Sequence, residues 1–126
     1  MSLAARRRAY ARGRRAEWLA AWWLRLQGYR ILARGFRCPA GEIDLVARRG
    51  GTLAIVEVKR RDHEGAAGEA ISPRQQRRVR RAAEAYLQRH PELAALQPRF
   101  DAVLLVPGRL PHHLKNAWNA DTVLPY

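Results

Sequence analysis

Two stretches of the chain carry apolar residues at the three- and four-residue spacing of a helix. The first covers residues 3–27, which are rich in alanine, arginine and leucine and are followed by Gly28. Glycine tolerates the left-handed conformation that ends helices, so we expect the helix to stop there. The apolar stripe consists of Leu19, Trp22, Trp23 and Leu26. We expect core packing for at least two of the tryptophans at positions 18, 22 and 23, with stacking on nucleic-acid bases as the alternative.

The second helical stretch begins at Ser72 and Pro73. A hydroxyl at the cap and a proline in the first turn are typical of a helix start, and the pattern continues to about Arg89. The predicted buried side of this helix consists of Val79, Ala83, Tyr86 and Leu87.

Four stretches have the apolar runs or the alternation of β-strands: residues 29–37, 42–48, 52–60 and 99–106. Gly50 and Gly51 separate the second stretch from the third, which predicts a hairpin turn. The tail at residues 113–118 fits either a short strand or a short helix. The order α-β-β-β-α-β predicts an α/β fold with a mixed central sheet flanked by helices.

Length and charge then narrow the class of protein. The 126 residues fit a single domain, residues 1–126. Lys and Arg total 24 against 11 Asp and Glu, a net charge of +13, and such an excess indicates a polyanionic partner. Nucleic acid is the leading candidate and an anionic membrane surface the second. Residues 1–12 form a basic arm that we expect to be frayed until it meets that partner.

Cysteine and histidine usage excludes several kinds of site. Cys38 is the single cysteine of the sequence, so an internal disulfide and a cysteine-rich zinc site are excluded. His112 and His113 have no cysteine or acid at ligand spacing, so we place them in a surface loop. Apolar runs stay well short of the roughly 20 residues that span a membrane. We therefore expect a soluble, cytoplasmic protein without a membrane partner.

The candidate chemistry lies on the second and third predicted strands. Side chains repeat every second residue along a strand, so Glu57 and Lys59 share one face, and the hairpin can place Asp44 on it too. Carboxylate oxygens are the ligands that Mg²⁺ or Mn²⁺ prefers, and the carbonyl of Val58 is a possible further ligand. A bound ion and a lysine together suit phosphodiester hydrolysis, which needs an activated water and neutralised phosphate oxygens.

Lysine usage adds weight to this interpretation, because the chain contains 22 arginines and two lysines, Lys59 and Lys115. A compact ammonium therefore replaces the usual arginine at the position where it would serve chemistry. The plain alternative is a cross-strand ion pair between Asp44 and Lys59 at the surface, which contributes under about 1 kcal/mol. The residue spacing alone does not decide between the metal site and the ion pair. Glu42, on the predicted face of Asp44, is either a supporting group of the site or a solvated hairpin residue.

These residues resemble a known family. Gly-Glu-Ile-Asp-Leu-Val at 41–46 followed by Val-Glu-Val-Lys-Arg at 56–60 is similar to the YraN-like family of small bacterial proteins, placed among the PD-(D/E)xK nucleases near archaeal Holliday-junction resolvases. The resemblance covers about residues 13–118. It implies a restriction-endonuclease-like αβββαβ core forming one nuclease-like domain, and by analogy with resolvases a homodimer.

The resemblance also implies roles for individual residues. Asp44 and Glu57 would be metal ligands, Lys59 the catalytic lysine, and Glu17 the acid of the first helix that completes the site. The implied activity is a Mg²⁺-dependent endodeoxyribonuclease. The sequence departs from the usual pattern at Arg60 and Arg61, where Thr or Ser is common, and at residues 73–76, where lysine is frequent.

Arginines supply a candidate nucleic-acid surface. At helical spacing Arg74, Arg77, Arg78 and Arg81 can share one face of the second helix, and Arg60 and Arg61 follow Lys59. The planar guanidinium group of arginine can bind phosphate through two N–H groups at once. The alternative is that these arginines form a solvated helix face without a binding role. Three functions remain: a metal-dependent nuclease acting on DNA, with branched or structured DNA as candidate substrates; a non-catalytic nucleic-acid-binding module; and, ranked last, a membrane-surface protein using the first helix.

Overall fold

Both predicted helices and all four predicted strands form, each within two residues of its predicted bounds. A computed structural model describes residues 2–60 and 71–118, and only the backbone of residues 5–13. The elements are α1 (Leu3–Leu26), β1 (Arg30–Cys38), β2 (Gly41–Arg49), β3 (Thr52–Arg60), α2 (Pro73–Arg89), a 3₁₀ turn (Pro91–Leu93), β4 (Gln97–Leu105) and β5 (His112–Leu114). The ambiguous tail therefore contains a short strand. Since α1 begins at Leu3, the basic arm lies in this helix, and its fraying stays a prediction.

The strands form one mixed sheet in the order β1-β2-β3-β4-β5. The first three strands are an antiparallel meander, β4 runs parallel to β3, and β5 returns antiparallel. Helix α2 is the crossover that a parallel β3–β4 pair requires. This arrangement agrees with the restriction-endonuclease-like αβββαβ core, extended by β5.

The helices cover opposite faces of the sheet, each with its own apolar core. The α2 face buries Val79 and Tyr86 against Ile55 and Phe100, as the helical spacing predicts. The α1 face buries Leu24 among residues of β2, β3 and β4. Ser72 caps α2 by accepting the Gln75 N–H, and Gly28, with φ +91°, ends α1. Both faces of the sheet are thus covered by a helix at its central strands.

The stripe predicted for α1 is wrong in its orientation. The helix packs on the sheet through Ala16, Ala20, Ala21 and Leu24. By contrast, Trp18 and Trp22 are exposed to solvent, and Trp23 is only partly buried. Leu19 and Leu26 are exposed as well. Small alanine side chains let the helix lie close to the sheet, which turns the bulky residues outward. Among the described helices, α1 included, none is long and apolar enough to cross a membrane.

Strands β2 and β3 separate at one end, and this fork positions the candidate site. Their ladder runs from Arg49–Thr52 at the hairpin turn to Leu45–Val56. Beyond that pair, the start of β2 stays with β1 and the end of β3 stays with β4. At Gly41 the start of β2 lies directly against α2, where a Cβ atom would overlap the carbonyl of Arg78. The close approach of β2 to α2 therefore requires glycine.

Candidate active site

The fork between β2 and β3 is bridged by the carboxylate of Asp44. Its Oδ2 accepts the backbone N–H of Val58 at 2.8 Å, next to the last Leu45–Val56 pair of the ladder. A side chain thus satisfies an amide of β3 where β2 has moved away, as buried backbone donors require. This bond holds Asp44 beside Glu57.

Asp44, which is half-buried, and Glu57, which is buried, form a pair of neighbouring carboxyl groups. Burial raises the pKa of Glu57, the charge of Asp44 raises it further, and together they bring it to about 8. Burial also raises the pKa of Asp44 above its ordinary value, against the opposing bond from Val58. A hydrogen bond between the two carboxyl groups raises the pKa of Glu57 and lowers that of Asp44. A carboxyl group whose pKa is raised by burial and by a neighbouring acid is a frequent feature of functional sites.

Lys59 completes the cluster together with Gln75, from the first turn of α2. The Nζ of Lys59 lies 3.7 Å from Oε1 of Glu57 and donates to Oε1 of Gln75 at 2.8 Å. Gln75 in turn donates from Nε2 to Oε1 of Glu57. The side chains of Lys59 and Glu57 are only 16% and 8% exposed. The ion pair of Lys59 along β3 is therefore shielded from solvent. The charge of Lys59 also lowers the pKa of Asp44, so the attraction across the strands is present, although not at the surface.

Glu17 approaches the same cluster from α1. Burial, followed by the charge of Asp44, raises its pKa above the ordinary value. Its Oε2 lies near Gly35 of β1, 3.9 Å from where a Cβ atom would stand. Within residues 2–60 and 71–118, however, there is no group of three or more His, Cys, Asp and Glu side chains placed to hold a metal ion. The role of Glu17 in completing the site stays a prediction.

Glu42 has features of both of its predicted roles. It is exposed and pairs with Arg37 at 3.5 Å, as a solvated hairpin residue would. Its charge also raises the pKa values of Glu17, Asp44 and Glu57. A cleft of about 220 Å³ opens beside the cluster and is lined by Glu42, Glu57, Ser72, Arg74, Gln75, Arg78 and Val79. The cluster can therefore be reached from solvent between β2 and α2.

Two of the predicted arginine contacts line this cleft. Arg74 and Arg78 line it, Arg81 is exposed further along α2, and Arg77 is half-buried on the same helix. Arg60 is exposed at the end of β3, whereas Arg61 lies outside the described residues. Cationic side chains of α2 thus lie beside the carboxylate pair.

The donor set of the fork suits a divalent cation. Mg²⁺ is usually held by one or two carboxylates together with waters and phosphate oxygens, rather than by a full cage of protein ligands. Asp44 and Glu57 supply two such carboxylates, and one ammonium leaves them undercompensated. The raised pKa values are the physical sign that more positive charge would be stabilised here.

Sequence reasoning missed Gln75 as a member of the site. The residue makes two of the cluster's hydrogen bonds, and its amide bridges an acid and a base that share β3. The available signal was the Ser72–Pro73 helix start, which places residue 75 in the first turn of α2. The spacing of residues along the sequence does not indicate which strand that turn faces.

A second buried carboxylate, Asp101 of β4, lies on the other face of the sheet. Arg99 donates to both of its oxygens at 2.8 and 2.7 Å, and His113 Nε2 and the Asn116 N–H bond to it at 2.8 and 2.9 Å. Burial alone would raise the pKa of Asp101, but these bonds hold it below its ordinary value. The surface-loop prediction for the histidines is wrong: both belong to β5, and the His113 side chain is buried.

The sheet, its two covering helices and the forked carboxylate pair define an α/β protein with a restriction-endonuclease-like core. A family model described as the uncharacterised protein family UPF0102 matches residues 16–105. UPF0102 proteins of Parvibaculum lavamentivorans and Chelativorans sp. are 59% and 54% identical over 110 and 115 residues. These alignments cover 87% and 91% of this chain and 83% and 93% of the relatives. The chain therefore belongs to family UPF0102, which confirms the resemblance to the YraN-like family.

Proposed function

We propose that the protein is a metal-dependent endonuclease that hydrolyses phosphodiester bonds in DNA, with branched or structured DNA as candidate substrates. The observation that carries the proposal is the pair of the half-buried Asp44 and the buried Glu57 beside Lys59, with Glu57 lining the cleft along α2. A structural role alone would favour full compensation of these charges, because an undercompensated buried carboxylate destabilises the fold.

Asp44 and Glu57 would hold Mg²⁺ or Mn²⁺, with the Val58 carbonyl as a further ligand. Such an ion neutralises phosphate oxygens and makes its bound water more acidic. The bond from the Val58 N–H fixes the Asp44 carboxylate, so one ligand is oriented in advance. The raised pKa of Glu57 means that cation binding displaces a proton from this carboxyl group.

Lys59 would act on the attacking water or on the phosphate. Its ammonium donates to Gln75 and lies 3.7 Å from Glu57, which limits its motion while its other donors can reach a substrate oxygen. Glu17 would add a third acid from α1, and its nearness to Asp44 supports that role. The exposed Arg74, Arg78 and Arg81 of α2 and Arg60 of β3 would contact backbone phosphates.

Cleavage of a panel of labelled DNA structures with and without Mg²⁺ tests the proposal. We expect Mg²⁺-dependent cutting of at least one structure, and a loss of about 100-fold or more in Asp44→Asn and Lys59→Met. Glu84→Gln, an exposed acid on α2, is the matched control and should cut like the wild type. No cutting by the wild type, or equal cutting by the site variants, contradicts the proposal.

The second candidate is a nucleic-acid-binding module without catalysis. The net charge of +13 and the exposed arginines of α2 favour it, because they support binding whatever the carboxylates do. In this case Asp44→Asn and Glu57→Gln bind DNA as tightly as the wild type or more tightly, since negative charge near phosphate is removed. A cation site that depends on Asp44 counts against it. Cytoplasmic location and a homodimer stay predictions.

A further inference from the structure

The outward side of α1 carries large apolar side chains that the core does not use. Trp18 and Trp22 are 53% and 50% exposed, and Leu19 and Leu26 are exposed beside them. Positions 18, 22 and 26 are four residues apart, so they share one side of the helix. We call these four residues the outer face of α1. Two half-exposed indoles on successive helix turns each present ring surface to solvent.

The charge around the outer face is positive. Arg14, Arg15 and Arg25 are exposed in the same part of α1. The one carboxylate between residues 14 and 26 is Glu17, which is half-buried near Asp44. A second copy docked face to face would bring these guanidinium groups close to one another, which is unfavourable. A polyanion that also presents flat apolar surfaces complements both properties.

A groove connects the outer face with the end of β3. Its volume is about 460 Å³, and Arg15, Leu19, Arg60 and Arg109 are among the residues that line it. Arg60 directly follows Lys59 of the candidate active site. Anionic lipid would match the charge of α1 as well, but the groove reaches the end of β3, the strand that carries Glu57 and Lys59, which favours nucleic acid as the occupant.

We propose that the outer face of α1 stacks unpaired bases, so that the substrate is nucleic acid with a single-stranded segment beside the point of cleavage; this statement about cleavage rests on the proposed function. Aromatic rings next to arginines are the usual platform for single strands, because every base has a π-face. Four residues of helix separate the two indoles by about 6 Å along the axis. This is close to twice the 3.4 Å spacing of stacked bases.

Binding of a fluorescent oligo(dT) and of a duplex of equal length, both in EDTA, tests the stacking without any cleavage. We expect the double variant W18A/W22A to lose about tenfold or more in single-strand affinity, with duplex affinity changed by less than about twofold. W18F/W22F, which keeps aromatic rings, should retain most of the binding. Leu110→Ala, which removes exposed apolar area outside α1, should bind like the wild type.

Tryptophan fluorescence gives a second measurement that does not depend on how well the alanine variant folds. Oligo(dT) should quench the wild type, and the quenching should disappear in W18F/W22F, which keeps Trp23 and Trp118. Unchanged single-strand affinity of W18A/W22A together with persistent quenching of W18F/W22F overturns the proposal. So does a wild-type dimer, or binding to anionic vesicles, that W18A/W22A abolishes while oligonucleotide binding survives.

The cleavage assay separates this proposal from the proposed function. W18A/W22A should cut a substrate with a single-stranded flap more slowly than the wild type does, while any cutting of plain duplex stays the same. Stacking without any cleavage leaves the outer face as a single-strand binding surface and removes the nuclease. Cleavage that is equal for flap and duplex, in wild type and variant alike, removes the single-stranded substrate.

Discussion

Two acids on adjacent strands, Glu57 of β3 and Asp101 of β4, are buried in opposite electrostatic surroundings. Asp101 lies beside Val56 in the parallel ladder, so alternation of side chains puts it and Glu57 on opposite faces of the sheet. Asp101 is fully buried and its pKa is lowered, whereas Glu57 is nearly buried and its pKa is raised to about 8. Burial alone therefore does not decide the charge state.

The neighbours decide it. Asp101 receives a bidentate Arg99, His113 and the Asn116 N–H, and Arg99 also donates to the Tyr29 hydroxyl at 2.6 Å. This network ties together β4, β5 and Tyr29, which lies in the connection between α1 and β1. Glu57 instead lies beside the carboxyl group of Asp44. It pairs with Lys59, and Gln75 is hydrogen-bonded to both Glu57 and Lys59. We infer that the Asp101 cluster stabilises the fold, whereas the Asp44–Glu57 cluster lowers stability and serves function.

The largest expected effect separates the two clusters by mutation. Asp101→Asn leaves Arg99 and His113 facing an uncharged group, so we expect a loss of roughly 3–5 kcal/mol in the free energy of unfolding at neutral pH. Because the folded-state pKa of Asp101 is lowered, this contribution is present above about pH 4 and is lost as the pH falls through the folded value. Urea unfolding at several pH values measures both. Asp44→Asn is the matched variant, and a loss of similar size there contradicts the comparison.

Glu57→Gln should act in the opposite direction. The folded-state pKa of Glu57 is raised from 4.5 to about 8, so its favourable contribution is complete below pH 4.5 and is lost as the pH rises through 8. The glutamine variant escapes this loss, and we expect it to be more stable by about 2–3 kcal/mol at neutral pH and above. The difference from the wild type should vanish in acid. A variant that is less stable than the wild type at all pH values contradicts the raised pKa.

Gln75→Ala should have an intermediate effect. It removes the donor to Glu57 and the acceptor for Lys59, each part-buried, and we expect a loss of about 1–2 kcal/mol. Gln88→Ala, at an exposed position of α2, should change the free energy of unfolding by less than about 0.5 kcal/mol. Chemical denaturation compares the pair, and equal losses would place Gln75 outside the cluster.

Arg74→Gln and Arg78→Gln should affect stability least. Both arginines are exposed, so we expect changes within about 0.5 kcal/mol. If they contact phosphates, each variant lowers the slope of log affinity for DNA against log salt concentration by about one. Titrations at several salt concentrations measure the slope. A slope equal to that of the wild type removes these residues from the DNA-binding surface.

Much of the fork follows from local pattern. Alternation in β3 fixes Glu57 and Lys59, and the two-residue turn at Gly50 and Gly51 fixes the register that brings Asp44 to them. Gln75 could not be found, because its place depends on how the crossover helix settles on the sheet.

The α1 face and the Asp101 cluster were missed for different reasons. Spacing cannot tell whether the alanines or the tryptophans of α1 meet the sheet, since both sets are apolar and periodic. His113 reaches Asp101 only because β5 folds back onto β4, a pairing set by tertiary structure rather than by sequence pattern.

Calorimetric titration of the metal-free protein with Mn²⁺ tests the central claim that Asp44 and Glu57 form a divalent-cation site. We expect one ion per chain, with proton release that decreases as the pH rises through about 8. Asp44→Asn and Glu57→Gln should abolish the binding, and Glu84→Gln should leave it intact. Absence of binding at millimolar Mn²⁺, or equal binding in all three variants, would contradict the account.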